Sequence, residues 1–281
     1  MSPTFIMALG SALLYGAADF SGGLATRRTS AIPVVLINHT SGMILLALLM
    51  PFLPPASPSR VDLLWGVAAG LTGSIGVALL YRALAIGTMT VVAPITAVCA
   101  VAIPVIASIL LGERPVPIAL AGILLGILSI VLVSHQRVSA TTGQRSRAGV
   151  GTALISGVAI GIFFLIFAQT DSNAGMWPLL VARAVSFALF GAIAITGRRS
   201  LRMPGRVLAM AIASGVLDML ANALYLLAAR QGPLSLVVTL SSLYPASTAL
   251  LARVVLRERL SLWQVIGVGC ALAAVVLIVS G

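Results

Sequence analysis

Apolar runs of nearly constant length follow one another along almost the whole chain. Crossing a hydrocarbon core of roughly 30 Å takes about 20 apolar residues in a helix. The runs, and the turn residues between them, predict ten such helices. They fall near residues 5–25, 32–53, 62–86, 90–111, 117–134, 149–168, 177–196, 207–230, 234–256 and 261–280. We therefore expect an all-α integral membrane protein with ten transmembrane helices and a multi-pass topology.

The composition supports this class and excludes others. Of 281 residues, 60% are hydrophobic and 8% are charged, whereas soluble domains carry about 25% charged residues. The formal charge of +11 comes from arginines that lie mainly in the short gaps between apolar runs. Such basic gaps indicate membrane topology, so we expect a lipid-bilayer environment and no nucleic-acid partner. Cys99 and Cys270 lie inside apolar runs and predict packed thiols without a disulfide.

The second half of the chain repeats the first at a constant spacing. Glu113 and Glu258 differ by 258 − 113 = 145 positions, and each begins a Glu-Arg pair. The same offset relates other identical residues through all five spans: Ser11/Ser156, Gly16/Gly161, Pro33/Pro178, Ser41/Ser186, Gly70/Gly215, Gly87/Gly232 and Gly122/Gly267. We interpret this register as an internal duplication, with one five-helix repeat over 1–136, a linker over 137–147 and a second repeat over 148–281.

An odd number of helices in each repeat has a consequence for topology. After five crossings the second repeat enters the membrane from the opposite side, so the two repeats are inverted. Inverted repeats are a common construction of secondary transporters, which place the substrate near the bilayer midplane between the repeats. The pattern predicts alternating access between two similar packings of one scaffold.

The Glu-Arg pairs and the glycines near them have a structural interpretation. Each pair closes the fourth helix of its repeat at a water-facing turn, where ionised groups cost little. Gly122 and Gly126 form a small-xxx-small face that allows close helix packing, and Gly157 and Gly161 repeat it in the sixth span.

Several motifs resemble the EamA-type members of the drug/metabolite transporter superfamily. They are "LYG" at 14–16, "LYRALAIGTMTVVAP" at 80–94, "LYLLAARQGPLSLVVTLSSLYP" at 224–245, and "LLGERP" and "VLRERL" before a glycine-bearing helix. The resemblance covers essentially the whole chain as two EamA-like repeats. It implies ten helices, export or uptake of small metabolites or amino acids, and a cavity lined mainly by helices 1, 3, 4, 6, 8 and 9. One departure is Ala100, which stands where the second repeat has Pro245 (245 − 145 = 100).

Ionisable groups inside spans are costly and mark candidate sites. Asp19 in span 1, Arg82 late in span 3 and His39 early in span 2 lie toward the same membrane face, which predicts one polar cluster. An Asp19–Arg82 packing pair and a transport role both remain open here. His39 is a candidate proton carrier because imidazole titrates near neutral pH, and a plain interior histidine is the alternative.

The eighth span supplies the other candidates. Asp218 and Asn222 are four residues apart and share one face, which Tyr225 nearly continues, so this stripe is a predicted substrate surface. Arg183 in span 7 is placed to reach Asp218, which would make the pair structural. Tyr15, Tyr81 and Tyr244 are ligand-stacking candidates, with interfacial anchoring as the alternative.

The predicted substrate pathway therefore comprises Tyr15, Asp19, Arg82, Asp218, Asn222, Tyr225 and Tyr244, with possible proton coupling at Asp19, His39 and Asp218. The sequence has no zinc, nucleophile-elbow or nucleotide-binding motif, so we expect no enzyme, metal or cofactor. We predict a secondary exporter of small organic metabolites, amino-acid or drug-like, in the inner or plasma membrane. A lipid-carrier flippase of the same superfamily and a non-transporting membrane subunit remain alternatives.

Arginine placement gives a topology. The gaps after spans 1, 5, 7 and 9 hold eleven arginines, against three on the opposite face: Arg60, Arg114 and Arg230. The positive-inside rule then places both termini outside the cell, whereas the family resemblance implies cytoplasmic termini.

Overall fold

The fold is helical throughout the part of the chain that the structure describes. The structure is a computed structural model, and it describes residues 3–110, 117–134, 143–167, 169–198, 200–231, 240–241, 243–257 and 262–280. Within these ranges there is no β-strand. In chain order the helices are α1 (Pro3–Thr26), α2 (Ala31–Leu49), α3 (Arg60–Ile86), α4 (Met89–Leu110), α5 (Pro117–Ser134), α6 (Gly143–Phe167), α7 (Trp177–Thr196), α8 (Gly205–Gln231), α9 (Tyr244–Val255) and α10 (Leu262–Ser280).

Six of these helices, considering the described residues alone, are long and apolar enough to cross a membrane: α1, α2, α3, α6, α7 and α8. Shorter apolar stretches lie in α4, over 89–100, and in α10, over 265–277. An all-helical fold with several membrane spans is thus confirmed, and the count of ten crossings stays a prediction. Both Glu-Arg pairs, at 113–114 and 258–259, lie outside the described residues. So does much of the predicted linker, although α6 already begins at Gly143.

The helix packing has the symmetry of two related halves. α1 packs on α8, and α6 packs on α3 in the same way. The contact of α2 with α8 has its counterpart in α7 with α3, and that of α1 with α9 in α6 with α4. Three further contacts pair helices with their own counterparts: α5 with α10, α2 with α7, and α4 with α9. Exchanging α1–α5 with α6–α10 therefore reproduces most of the principal contacts; α1 with α3 and α4 with α10 have no comparable counterpart among the described residues.

Hydrogen bonds between helices repeat at the same spacing as the sequence. Ser11 Oγ donates to the carbonyl oxygen of Ala221 at 3.0 Å, and Ser156 Oγ donates to that of Gly76 at 2.8 Å. Both residues of the second bond are related to those of the first by 145 positions (11 + 145 = 156; 76 + 145 = 221). A second related pair of bonds joins Thr96 Oγ1 to Ala153 O and Ser241 Oγ to Ala8 O. The duplicated residues therefore occupy equivalent places in the bundle.

Glycines allow the two halves to approach closely. A Cβ added at Gly70 in α3 would lie 2.7 Å from the carbonyl oxygen of Ala182 in α7. In α6, a Cβ at Gly157 would lie 2.6 Å from Thr96 O, and one at Gly161 would lie 3.0 Å from Ala100 O, both in α4. These contacts confirm the small-residue face predicted at Gly157 and Gly161, since only a hydrogen fits against the facing backbone.

The two proline positions differ between the halves. α4 runs without a break from Met89 to Leu110 and includes Ala100. In the second half, α9 begins at Tyr244 with Pro245 in its first turn. A first-turn proline is tolerated because the amide it lacks would have no partner inside the helix.

One end of the bundle is fastened by loops from both halves. Ser59 and Asp62 form a capping box at the start of α3, in which each side chain accepts from the other residue's backbone N–H. The second carboxylate oxygen of Asp62 accepts a hydrogen bond of 2.8 Å from the N–H of Asp171. The N–H of Ser57 donates to Asn173 O at 3.1 Å. The α2–α3 loop is thereby tied to the α6–α7 loop.

We predict that Gly70→Ala destabilises the protein by about 1–3 kcal/mol, because the new methyl group meets backbone atoms that have no rotamer to change. Gly191→Ala in α7 is the matched control, since its added Cβ has no neighbour within 4 Å. It should be neutral or slightly stabilising. Thermal unfolding in detergent, followed by tryptophan fluorescence, compares the two. Equal melting temperatures would show that the α3–α7 contact is not as close as described.

Candidate functional site

Four helices meet in a buried hydrogen-bond network. Asn38 Nδ2 in α2 donates to the hydroxyl of Tyr81 in α3 at 2.9 Å and to the hydroxyl of Ser214 in α8 at 3.0 Å. Ser214 Oγ donates to Ala18 O in α1 at 2.7 Å. The Ser214 proton is used in that bond, so Tyr81, 2.8 Å away, is the donor in the Tyr81–Ser214 contact. The network joins three helices of the first half to α8 of the second.

An ion pair lies beside this network. The guanidinium of Arg183 in α7 contacts the carboxylate of Asp218, midway along α8. Their side chains are 9% and 19% exposed. Arg183 Nη1 also lies 3.3 Å from Nε2 of His39. Because a guanidinium only donates, the contacting imidazole nitrogen is an acceptor in this arrangement. The contact offsets part of the cost of burying two charges in a lipid-surrounded bundle.

Three buried polar atoms have no partner among the described residues: Asn38 Oδ1, Arg183 Nε and Ser186 Oγ. Asn38 and Arg183 occupy equivalent positions of the two halves (38 + 145 = 183). The two side chains thus stand at related places in α2 and α7. Searching the repeat register for polar residues on both sides would have found this pair, which the sequence analysis did not use.

The predicted stripe on α8 is occupied by contacts within the protein. The Asp218 carboxylate pairs with Arg183, as the sequence anticipated. Asn222 Nδ2 donates to the Asp218 carbonyl oxygen at 2.7 Å, so the amide turns back on its own helix. Tyr225, half-buried, packs beside a small cluster formed by Ala8 and Ala228. Whether these residues contact substrate stays a prediction.

Asp19 and two tyrosines lie beside the hydrogen-bond network, which reaches α1 at Ala18. Asp19 in α1 is half-buried. Among the described residues, none forms a hydrogen bond or an ion pair with its carboxylate. The ring of Tyr15, one turn before Asp19, meets that of Tyr244 edge to face, with centroids 6.2 Å apart.

Arg82 does not join this cluster, so the predicted grouping of Asp19, Arg82 and His39 is wrong. Tyr81, Ala83 and Leu84 are buried, whereas Arg82 is exposed. Neighbouring residues of an α-helix point about 100° apart, and Arg82 falls on the outer side of α3. His39 contacts Arg183 instead. The prediction placed Arg82 on the wrong face of α3.

In the described ranges, no three His, Cys, Asp or Glu side chains lie close enough together to hold a metal ion. The site instead offers two carboxylates, one guanidinium, one imidazole and several hydroxyls between helices. Such groups can bind a polar solute or hold a proton, and they lie on helices of both halves.

Comparisons with known proteins agree with this architecture. The EamA-like transporter family matches the chain twice, over residues 2–135 and 147–280. The two matched segments are offset by 145 positions (147 − 2 = 145). A solved structure titled "Crystal structure of protein" is similar, with a TM-score of 0.64 and 16% sequence identity over 98% of each chain. At that identity the likeness shows a shared fold. No curated protein matches the chain.

We predict that Asp218→Asn lowers the free energy of unfolding by about 3–5 kcal/mol, because Arg183 keeps a buried charge without a counter-charge. The double variant Arg183→Gln, Asp218→Asn should recover part of this loss, since it removes both charges. Thermal unfolding in detergent measures the double-mutant cycle, and Asp171→Asn on the exposed α6–α7 loop is the control. Additive losses in the cycle would show that the two side chains do not interact.

Proposed function

Since the chain belongs to the EamA-like transporter family, we propose that it is a secondary transporter that exports small organic metabolites. The observation that carries the proposal is the buried polar site shared by α1, α2 and α3 of the first repeat with α7 and α8 of the second. Charged and polar side chains between transmembrane helices are costly, and they usually serve a solute pathway.

The proposed mechanism is alternating access by two inverted five-helix repeats, with ten crossings in all. Its support is the exchange symmetry of the packing, in which α1–α8 corresponds to α6–α3 and α1–α9 to α6–α4. A scaffold with this symmetry has two related packings of similar energy, one open to each side of the membrane. The glycine contacts across the repeats favour rigid helices that move against one another, since they leave little room for side-chain rearrangement.

The site residues are assigned as follows. Tyr15, Asp19, Asp218, Asn222, Tyr225 and Tyr244 line the solute pathway, and Asp19 and Asp218 are the proposed proton carriers. Protonation of Asp218 would release Arg183, and the coupling of proton to solute would then pass through one ion pair. His39 takes part when its contact with Arg183 opens, because its ring nitrogen is otherwise occupied as an acceptor.

The proposed location is the inner or plasma membrane, where the lipid bilayer is the protein's solvent. The arginines after the first, fifth, seventh and ninth spans place those gaps on the cytoplasmic side. In this topology the α2–α3 and α6–α7 loops, which meet at the Asp62–Asp171 contact, face the outside.

The test is flux from proteoliposomes loaded with a mixed panel of amino acids and small metabolites, under an imposed pH gradient. We expect gradient-dependent flux of at least one compound in the wild type and its loss in Asp19→Asn or Asp218→Asn. Asp171→Asn should transport like the wild type, because its carboxyl group lies in an exposed loop.

Flux that is unchanged in both aspartate variants would refute the assignment of Asp19 and Asp218 as proton carriers, and the transport function would still stand. Absence of flux for every panel compound would overturn the small-metabolite proposal and favour a lipid-carrier flippase or a non-transporting membrane subunit.

A further inference from the structure

The helices form two four-helix bundles, and each bundle has members from both repeats. α1 and α2 pack on α8, and α1 also packs on α9. In the same way α6 and α7 pack on α3, and α6 also packs on α4. We name these groups bundle I (α1, α2, α8 and α9) and bundle II (α3, α4, α6 and α7). Exchanging the two repeats converts one bundle into the other.

The central polar site lies between the two bundles. The Tyr81 hydroxyl of bundle II is hydrogen-bonded to Asn38 and Ser214 of bundle I. The Arg183 guanidinium of bundle II contacts the Asp218 carboxylate of bundle I. Separation of the bundles at one end of the molecule would therefore expose this site to that side of the membrane.

The bundles are in close contact at the arginine-rich end of the molecule, which contains the connections over residues 27–30, 87–88 and 197–204. The carboxyl ends of α1 and α3 pack together there. A Cβ added at Gly22 would lie 2.3 Å from the ring of Tyr81. One added at Gly23 would lie 2.6 Å from the side chain of Leu84. All four residues are buried, so this end is closed between α1 and α3.

The equivalent contact at the opposite end is not made among the described residues. α6 and α8 are the counterparts of α1 and α3, and they have no comparable contact there. The same holds for α7 and α8, the counterparts of α2 and α3. Phe167 stands at the position of Gly22 (22 + 145 = 167) and Leu226 at that of Tyr81 (81 + 145 = 226), and both are only half-buried.

The loop contact at the opposite end does not bridge the bundles. The carboxylate that ties the loops there belongs to α3 and accepts from the backbone of the α6–α7 loop, so this bond stays within bundle II. The described residues are thus closed between bundles at the arginine-rich end and less tightly joined at the opposite end.

Arg27 adds a polar contact to the closed end. It directly follows α1, and its backbone N–H still donates to Gly23 O at 3.0 Å, which fixes where the side chain begins. Nε donates to Leu84 O at 3.3 Å, and Nη2 donates to Gly87 O at 3.2 Å. The last carbonyls of a helix lack partners inside it and carry partial negative charge, so a guanidinium stabilises them. One side chain of bundle I therefore binds the carboxyl end of α3 in bundle II.

The second repeat has no charged counterpart of this side chain. The equivalent position is Ser172 (27 + 145 = 172), whose side chain is short and neutral. The bonds from Arg27 therefore stabilise closure at one end of the molecule, and the repeat symmetry supplies no matching arginine at the other.

We propose that Arg27 is a gate residue: its bonds to the carboxyl end of α3 hold the two bundles together at the arginine-rich end, so that the central site is reached from the opposite end. The proposal rests on the transport function and names a residue that controls which side of the membrane the site faces. Loss of the two bonds favours the alternative packing, in which the arginine-rich end separates and the opposite end closes.

The test measures distances between spin labels in the purified protein by double electron–electron resonance, without any flux. Both native cysteines are first replaced by alanine. Labels at Ser30→Cys and Ile86→Cys report the separation of the bundles at the arginine-rich end, and labels at Gln169→Cys and Gln231→Cys report it at the opposite end. All four positions are exposed. We expect short distances to dominate the first pair and long distances the second.

Arg27→Ala should raise the ratio of separated to closed molecules at the arginine-rich end about tenfold, because two bonds from a charged group are lost. The opposite end should close in the same fraction of molecules. Arg28→Ala is the matched control, since it removes the same charge from the same loop and leaves both bonds to α3 in place. Gly22→Ala sets a methyl group against the Tyr81 ring and should shift both distances in the direction of Arg27→Ala.

Distances in Arg27→Ala that match those in Arg28→Ala would overturn the proposal, even where Gly22→Ala separates the bundles. A change at the arginine-rich end without closure of the opposite end would also overturn it, because Arg27 would then act only on its own loop. Wild-type protein already separated at the arginine-rich end would do the same. Because distances are measured apart from flux, a protein that moves no panel compound can still show the gate, and a working transporter can lack it.

Discussion

Hydrocarbon offers no hydrogen-bond partners, and this constraint organises the interior of the protein. A polar side chain that enters a span is stabilised by a partner inside the protein, on a neighbouring helix or on its own. Asn38, Tyr81 and Ser214 satisfy one another, and Ser214 continues to a backbone carbonyl of α1. Arg183 and Asp218 satisfy the same requirement with charges. Polar groups therefore fix which helices are neighbours, and the apolar residues around them fill the remaining space.

Duplication repeats these contacts in both halves of the molecule. The bonds from Ser11 and Ser156 are the same bond made twice, once by each repeat. Close packing at Gly70 and Gly157 holds the repeats against one another along backbone surfaces. The site lies where helices of the two halves meet, and the alternating access proposed above would change its exposure.

The sequence was sufficient for the helices, the duplication and the family, because these depend on long patterns. Ten apolar runs and a constant spacing of 145 residues survive an error of several residues at any boundary. The Arg183–Asp218 contact could also be predicted, since two opposite charges inside spans stabilise each other.

The orientation of single residues could not be predicted from the sequence. Arg82 is one position from the buried Tyr81, and that difference rotates it out of the site. Asn222 similarly donates to the backbone of its own helix. Residue spacing shows which face of a helix a side chain shares, and it does not show such a local hydrogen bond.

The equivalence of positions 38 and 183 has a consequence for the energetics of the whole molecule. If the two repeats were identical, the inward-facing and outward-facing forms would have the same free energy. Here one repeat carries a neutral amide and the other a cation at the corresponding place, with an acidic partner, Asp218, near only the second. The two halves are interchangeable in shape but not in charge. An exchange of the two packings, which the proposed alternating access requires, would place the ion pair and the amide in different surroundings, so the two states would differ in electrostatic energy.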